Sequence, residues 1–308
     1  MSTLRFQLFG KFSVQQDSQL VRDLDSSKEH ELLSYLLVRR DRAHPREKLA
    51  SLLWGDRSTE RSKKYLRQAL WHLQTGLERL ELTGPQVLLV EHDWVQLNLQ
   101  SELWLDVAVF EQTFNAAQGI PGTQLDGPGA EMLKEAVRLY TGDLLDGWYQ
   151  DWCLYERERL QNMYLCMLDK LMGYCERHQE YEAGQSYGSM ILRYDRASER
   201  TYRRLMHLQY MAGDRTGALR QYERCVSALA EELGVKPERR TQAVYERIRA
   251  DELDNVKPAG DESASAHATT LPEVLSRLKR LHEVLTAVQK HVQRDIKAVE
   301  QGLKTLKP

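Results

Sequence analysis

Between residues 61 and 75 the sequence sets Arg61, Lys64, Gln68, Trp71 and Thr75 at steps of three and four, with Arg67 beside them, the spacing that gathers side chains on one face of a helix. Their chemistry suits a nucleic acid. A guanidinium can pair with guanine, a carboxamide with adenine, and an ammonium with phosphate or guanine. Arg46, Lys48, Arg57 and Lys63 supply further cations suited to backbone phosphates. From Arg39 to Arg67 ten Lys or Arg stand against four Asp or Glu, a local charge of +6 in a chain whose net charge is −2. Such a stripe is the electrostatic footprint expected for a polyanion, although most charge runs are only solvated faces. Trp71 is out of place in this company. It packs on the sugar-phosphate backbone or on thymine methyls, or it covers neighbouring core.

Constellations for other chemistries are missing. The sequence holds no GxxxxGK[ST] loop, no HExxH or Cys/His set at metal spacing, and no GxSxG elbow. Its nine histidines are scattered, and Glu156 and Glu158 read as a solvated helix face, not an acid–base pair. No enzyme, metal or cofactor is expected. Cys153, Cys166, Cys175 and Cys225 show no CxxC spacing and fall in helical patterns, which predicts buried free thiols in a reducing cytoplasm. The longest apolar run, residues 32–38, is far below the ~20 residues of a membrane span, and the amino terminus lacks a secretory layout. A cytoplasmic protein without a membrane partner is expected.

The elements that must position the stripe can be read in order. Leu4, Phe6 and Leu8 alternate with Arg5 and Gln7, and the alternation resumes at Phe12 and Val14 after Gly10, which predicts a half-buried hairpin or meander. A helix follows at about 27–39 with Leu32, Leu33, Leu36 and Leu37 on one side. Residues 44–55 predict a shorter helix, with Pro45 in its first turn and Gly55 at its end. In the next helix, 58–78, Leu66, Leu70, Leu73 and Leu77 form a seam opposite the cationic stripe. Residues 86–99 read as two strands around a turn at Glu91–Asp93. Sheet, three helices and a terminal hairpin make a winged helix-turn-helix over residues 1–101, whose second paired helix enters the major groove.

Residues 102–251 are helical in pattern throughout. Leu168, Leu171, Met172, Gly184 and Gly188 are matched 34 residues later by Tyr202, Leu205, Met206, Ala218 and Tyr222, the tetratricopeptide period of stacked helix pairs. Small residues at 184 and 218 fall where paired helices approach. Residues 252–270 have linker composition. Beyond them Val274, Leu278, Leu281, Leu285, Val288, Val292, Ile296, Val299 and Leu303 form a heptad-like seam over 271–308, interrupted by a stutter. Self-association as a coiled coil is the first expectation, folding back on the solenoid the second, and pairing with another protein the third. The fold expected is multidomain and mainly α: an α+β winged module, an all-α solenoid and a long C-terminal helix.

Several of these stretches together resemble one family. FGKFSVQQDSQLV, HPREKLASLLWGD and VQLNLQSELWLDVAVFE are similar to the OmpR-like winged helix-turn-helix of the SARP-type (antibiotic regulatory protein) transcription factors. LYTGDLLDGWYQDWCLYERERL and RTYRRLMHLQYMAGDRTGALRQYERCVSALAEELGVKPE resemble the bacterial transcriptional activator domain that follows it. The resemblance covers about residues 4–251 and leaves the tail outside. It implies that residues 58–80 hold the recognition helix, that promoter DNA is the ligand (in direct repeats for many members), that RNA polymerase is a partner, and that transcription is activated. The rival expectation is a tetratricopeptide adaptor whose winged part does not read DNA. The wing departs from the family: Glu91, His92, Asp93 and Trp94 stand where a Gly-Tyr-like turn with basic neighbours is usual. Those acids should repel phosphate unless His92 is protonated. The winged module stands first in the sequence, so a receiver domain is not expected and aspartyl phosphorylation is not the expected switch.

Overall fold

The computed structural model describes residues 4–17, 19–21, 27–80, 85–101 and 103–252. The linker and the 271–308 seam, with Val274 to Leu303, lie outside the described residues. Residues up to Glu252 form one compact unit, so the expected border at residues 101 and 102 falls inside it.

The alternating amino terminus becomes a meander. Strands β1 (Leu4–Gln7), β2 (Ser13–Gln16) and β3 (Gln19–Leu20) pair antiparallel, with Phe6 opposite Val14. A short strand that the helical pattern hid, β7 (Leu103–Leu105), lies parallel to β1 and completes the order β3-β2-β1-β7. Helices α1 (Ser27–Val38), α2 (Arg46–Trp54) and α3 (Thr59–Glu78) follow. The hairpin of β5 (Leu88–Val90) and β6 (Trp94–Leu97) turns at Glu91, whose N–H donates to the Trp94 carbonyl at 2.9 Å. His44–Pro45 are not the first turn of α2. They form β4, paired with β6, because proline lacks the N–H an inner strand must donate and is tolerated at an edge. The result is a winged helix-turn-helix.

One core runs through this module into the helices beyond it. Leu4, Phe6 and Leu8 of the first sheet, the four leucines of α1, and Leu66, Leu70, Leu73 and Leu77 of α3 join Val107, Phe110 and Leu133 in a single cluster. The remainder is helical: α4 (Asp106–Ala116), α5 (Gly127–Leu139), α6 (Asp151–His178), α7 (Tyr181–Tyr194), α8 (Glu199–Met211), α9 (Arg215–Leu233) and α10 (Arg239–Ala250). In the 34-residue repeat, Leu168, Leu171, Met172, Leu205, Met206 and Ala218 are buried. A Cβ at Gly188 would stand 2.6 Å from Leu205 Cδ2 and 2.9 Å from Met172 Cε, so a larger residue there would have to displace those side chains between α7 and its neighbours α6 and α8.

The winged and helical parts are tied by polar bonds as well. Asp106 opens α4 with its carboxylate buried, and Oδ2 accepts the N–H groups of Leu8 at 2.8 Å and Phe9 at 2.9 Å. Gly10 donates to the Asp143 carbonyl, and Leu145 and Asp146 donate back to the carbonyls of Leu8 and Gly10. Arg157 in turn holds that loop, donating to the carbonyls of Leu144, Leu145 and Trp148. At the end of α1, Arg39 pairs with Glu156 and Arg40 with Glu111, while Arg159 bridges both acids. Glu156 is therefore buried and paired, not on a solvated face; Glu158 is exposed. The ion pairs explain the difference, since a carboxylate is taken out of water only when cations replace the hydration. They also take Arg39 and Arg40 out of the outward basic stripe. Cys153, Cys175 and Cys225 are buried and Cys166 is exposed. Burial pushes the Cys153 thiol up to about 11 and those of Cys175 and Cys225 to about 12, so these three stay protonated.

Burial raises the Asp106 carboxyl from 3.8 to about 6, against the opposing pull of its backbone N–H bonds. The folded chain thus keeps this proton where the unfolded chain releases it, and the contribution of Asp106 to stability falls as pH rises from about 4 to about 6. Unfolding midpoints in urea across that range should show this downward slope in wild type and lose it in Asp106→Asn. An unchanged slope in the variant would contradict the assignment.

Candidate nucleic-acid interface

The geometry of α3 is set from its buried side. Leu66, Leu70, Leu73 and Leu77 are no more than 6% exposed, and Ser62, the first buried residue of the helix, is polar for a reason. Its hydroxyl donates at 2.7 Å to the Trp54 carbonyl at the end of α2 and lies 3.1 Å from the Ser58 carbonyl, which fixes the turn between the two helices. Gly55 completes that turn, because a Cβ there would come 2.6 Å from the Ser51 carbonyl oxygen. The ammonium of Lys28, on α1, donates to the Leu53 carbonyl at 2.8 Å, satisfying a helix-end acceptor. From the same helix Glu29 holds His72, with Oε1 2.8 Å from Nδ1. Sequence reasoning missed these supports. A serine on the leucine side of an amphipathic helix was the one legible signal.

The opposite face is open. Arg61, Lys64, Arg67, Gln68 and Trp71 are exposed and Thr75 is half-buried. The side chains of Arg61, Lys64, Arg67 and Gln68 have no hydrogen-bond or ion-pair partner among the described residues. Trp71 is 63% exposed, so it does not serve as a cover for the core. The flanking cations divide. Lys48 is exposed and unpaired among the described residues, Lys63 pairs with Glu47 at 2.5 Å, and Arg57 pairs with Asp56 at 3.0 Å. Arg46 is half-buried and donates to the Glu91 carbonyl at 3.0 Å, while its backbone N–H donates to the Asp93 carbonyl. It ties the start of α2 to the wing. At the wing tip His92 Nδ1 lies 2.6 Å from Asp93 Oδ1, with both side chains almost fully exposed. The tip therefore offers a polyanion no unpaired cation.

Other candidate chemistry is thin. Among the described residues no group of three His, Cys, Asp or Glu could hold a metal ion. A cleft of about 420 Å³ between α4 and α5 is walled by Ala117, Ile120, Leu125 and Met132, and its one carboxylate, Asp126, caps α5 by accepting the Gly129 N–H. No helix among the described residues is long and apolar enough to cross a membrane.

Comparison with known proteins bears on this arrangement. Residues 105–249 match the family model of the bacterial transcriptional activator domain. Over 301 residues the chain is 27% identical to Regulatory protein AfsR of Streptomyces coelicolor, an alignment spanning 92% of this chain and 29% of that much longer relative. Mycobacterium tuberculosis EmbR, solved in complex with a low-affinity phosphopeptide, superposes with a TM-score of 0.62 at 18% identity, covering 87% of this chain and 70% of that one; a likeness at this identity concerns the fold. The match to the bacterial transcriptional activator domain thus falls on the helical part built on α4 to α10, and the winged helix-turn-helix before it lies within the stretch that is similar to the AfsR regulatory protein.

Proposed function

We propose that this regulator reads promoter DNA through α3, as an activator that carries a contact for RNA polymerase. One observation carries the reading: Arg61, Lys64, Arg67 and Gln68 stand exposed and unpaired among the described residues on the helix that a winged helix-turn-helix places in the major groove. Lys63, by contrast, is engaged across to α2 by Glu47. Among the described residues this stripe leaves its cations and its carboxamide without a partner, as a DNA-reading face would. Arg46 and Lys48 sit where the first helix of the pair crosses a backbone, so they position the chain without reading sequence. The acidic wing leaves affinity to α2 and α3.

The reading separates two kinds of substitution. Gln68→Ala should relax preference by about 1–3 kcal/mol at one or two base pairs, whereas Lys48→Ala should weaken every duplex alike. Both are measured by binding to a pool of the host's own upstream DNA. Uniform loss in Gln68→Ala would refute a base contact, and no enrichment by folded wild type would favour the adaptor reading. Self-association belongs to the same proposal, carried by the seam from Val274 to Leu303. Deleting 271–308 should lower the mass seen by light scattering, and an unchanged mass would count against a coiled coil.

A further inference from the structure

Trp71 is the one apolar member of the outward stripe on α3, and it is not buried by any of the described residues. At about 100° per residue, Lys64, Gln68, Trp71 and Thr75 fall within about 60° of one another. Arg61 and Arg67 widen the stripe to about 120°, and Trp71 lies about 20° from the centre of that arc. Nor is the indole loose. The His72 ring stands 5.1 Å from it at an interplanar angle of 64°, and Glu29 of α1, itself buried, holds that imidazole at 2.8 Å. The pair Glu29–His72 backs one edge of the indole and leaves the rest of the ring open.

The inference rests on α3 lying in the major groove. Side chains at the middle of such a helix face the groove floor, and the phosphates line its walls. An indole carries a single donor and no acceptor, so most of its surface needs an apolar neighbour. On the floor of the major groove the apolar group is the C5 methyl of thymine. Trp71 lies about 4.5 Å further along the helix axis than Gln68 at about 1.5 Å per residue, a little more than one base-pair step of about 3.4 Å. We propose that Trp71 is a specificity-determining residue that packs on the methyl of a thymine one or two base pairs from the base contacted by Gln68. The preferred sites would then carry a fixed thymine at that step.

The experiment begins with the full chain and a random duplex library. The best duplex recovered is resynthesised with each thymine replaced in turn by uracil, which keeps the base pair and removes the methyl alone. Wild type should lose about four-fold in affinity at one thymine, the worth of burying one methyl-sized group, and tolerate uracil elsewhere. Trp71→Ala, whose side chain supports no core, should bind that duplex more weakly and no longer distinguish the two bases; Trp71→Phe should retain part of the distinction. Uracil tolerated by wild type at every thymine would overturn the inference while leaving DNA reading by α3 intact. So would a uracil penalty that persists in Trp71→Ala. Failure of folded wild type to recover any duplex would overturn the DNA reading itself, and this inference with it.

Discussion

The orientation of α3 depends on the burial of four leucines, Leu66, Leu70, Leu73 and Leu77. At about 1.5–3 kcal/mol for each fully buried side chain, the seam contributes on the order of 6–12 kcal/mol, an upper estimate that takes an extended unfolded chain as reference. That rivals the whole net stability of a typical domain, about 5–15 kcal/mol. Rotating the helix to hide its cationic face would expose the seam and bury Arg61, Lys64 and Arg67 without counter-ions. The seam thus decides which residues face outward, and the Ser62–Trp54 bond and the space at Gly55 decide the angle at which α2 meets them.

A second constraint follows from the continuity of the core. The first sheet does not end at its own module. Leu8 and Phe9 hand their N–H groups to Asp106, and the end of α1 is fastened to α4 and α6 by Arg39, Arg40, Glu111, Glu156 and Arg159. Each of these acids is largely withdrawn from water, so breaking one pair would strand a charge, a cost that keeps such junctions closed. Helix α1 also carries Glu29 and Lys28, which hold His72 of α3 and the end of α2. Helix α3 is therefore positioned through α1 by the helical part as well as by its own module.

Where a residue's environment is set by local periodicity, the sequence was readable. The leucine seam, its opposite stripe, the meander and the 34-residue repeat all follow from spacing alone, and each recurs in the described structure. What escaped was settled by distant partners. Strand β7 is three residues long and exists because β1 offers it an edge. Glu156 looked solvated because one of its cations, Arg39, arrives from just beyond α1, distant in sequence, while Arg159 one turn along α6 reads equally well as a surface pair. The same applies to the basic run, where Arg39, Arg40, Arg57 and Lys63 are engaged by acids and a smaller outward group remains. Periodicity could place Trp71 on the outer face but could not show that the face there is uncovered.

The central claim is that this outward group meets phosphate and base edges directly. It is tested by the salt dependence of affinity for one recovered duplex, in wild type and in the chain carrying Arg61→Ala, Lys64→Ala and Gln68→Ala. Each neutralised phosphate contributes about −0.9 to the slope of log K against log salt. Wild type should therefore lose affinity steeply as salt rises, and the triple variant should bind more weakly with a shallower slope. Equal slopes and equal affinities in the two folded chains would contradict the account.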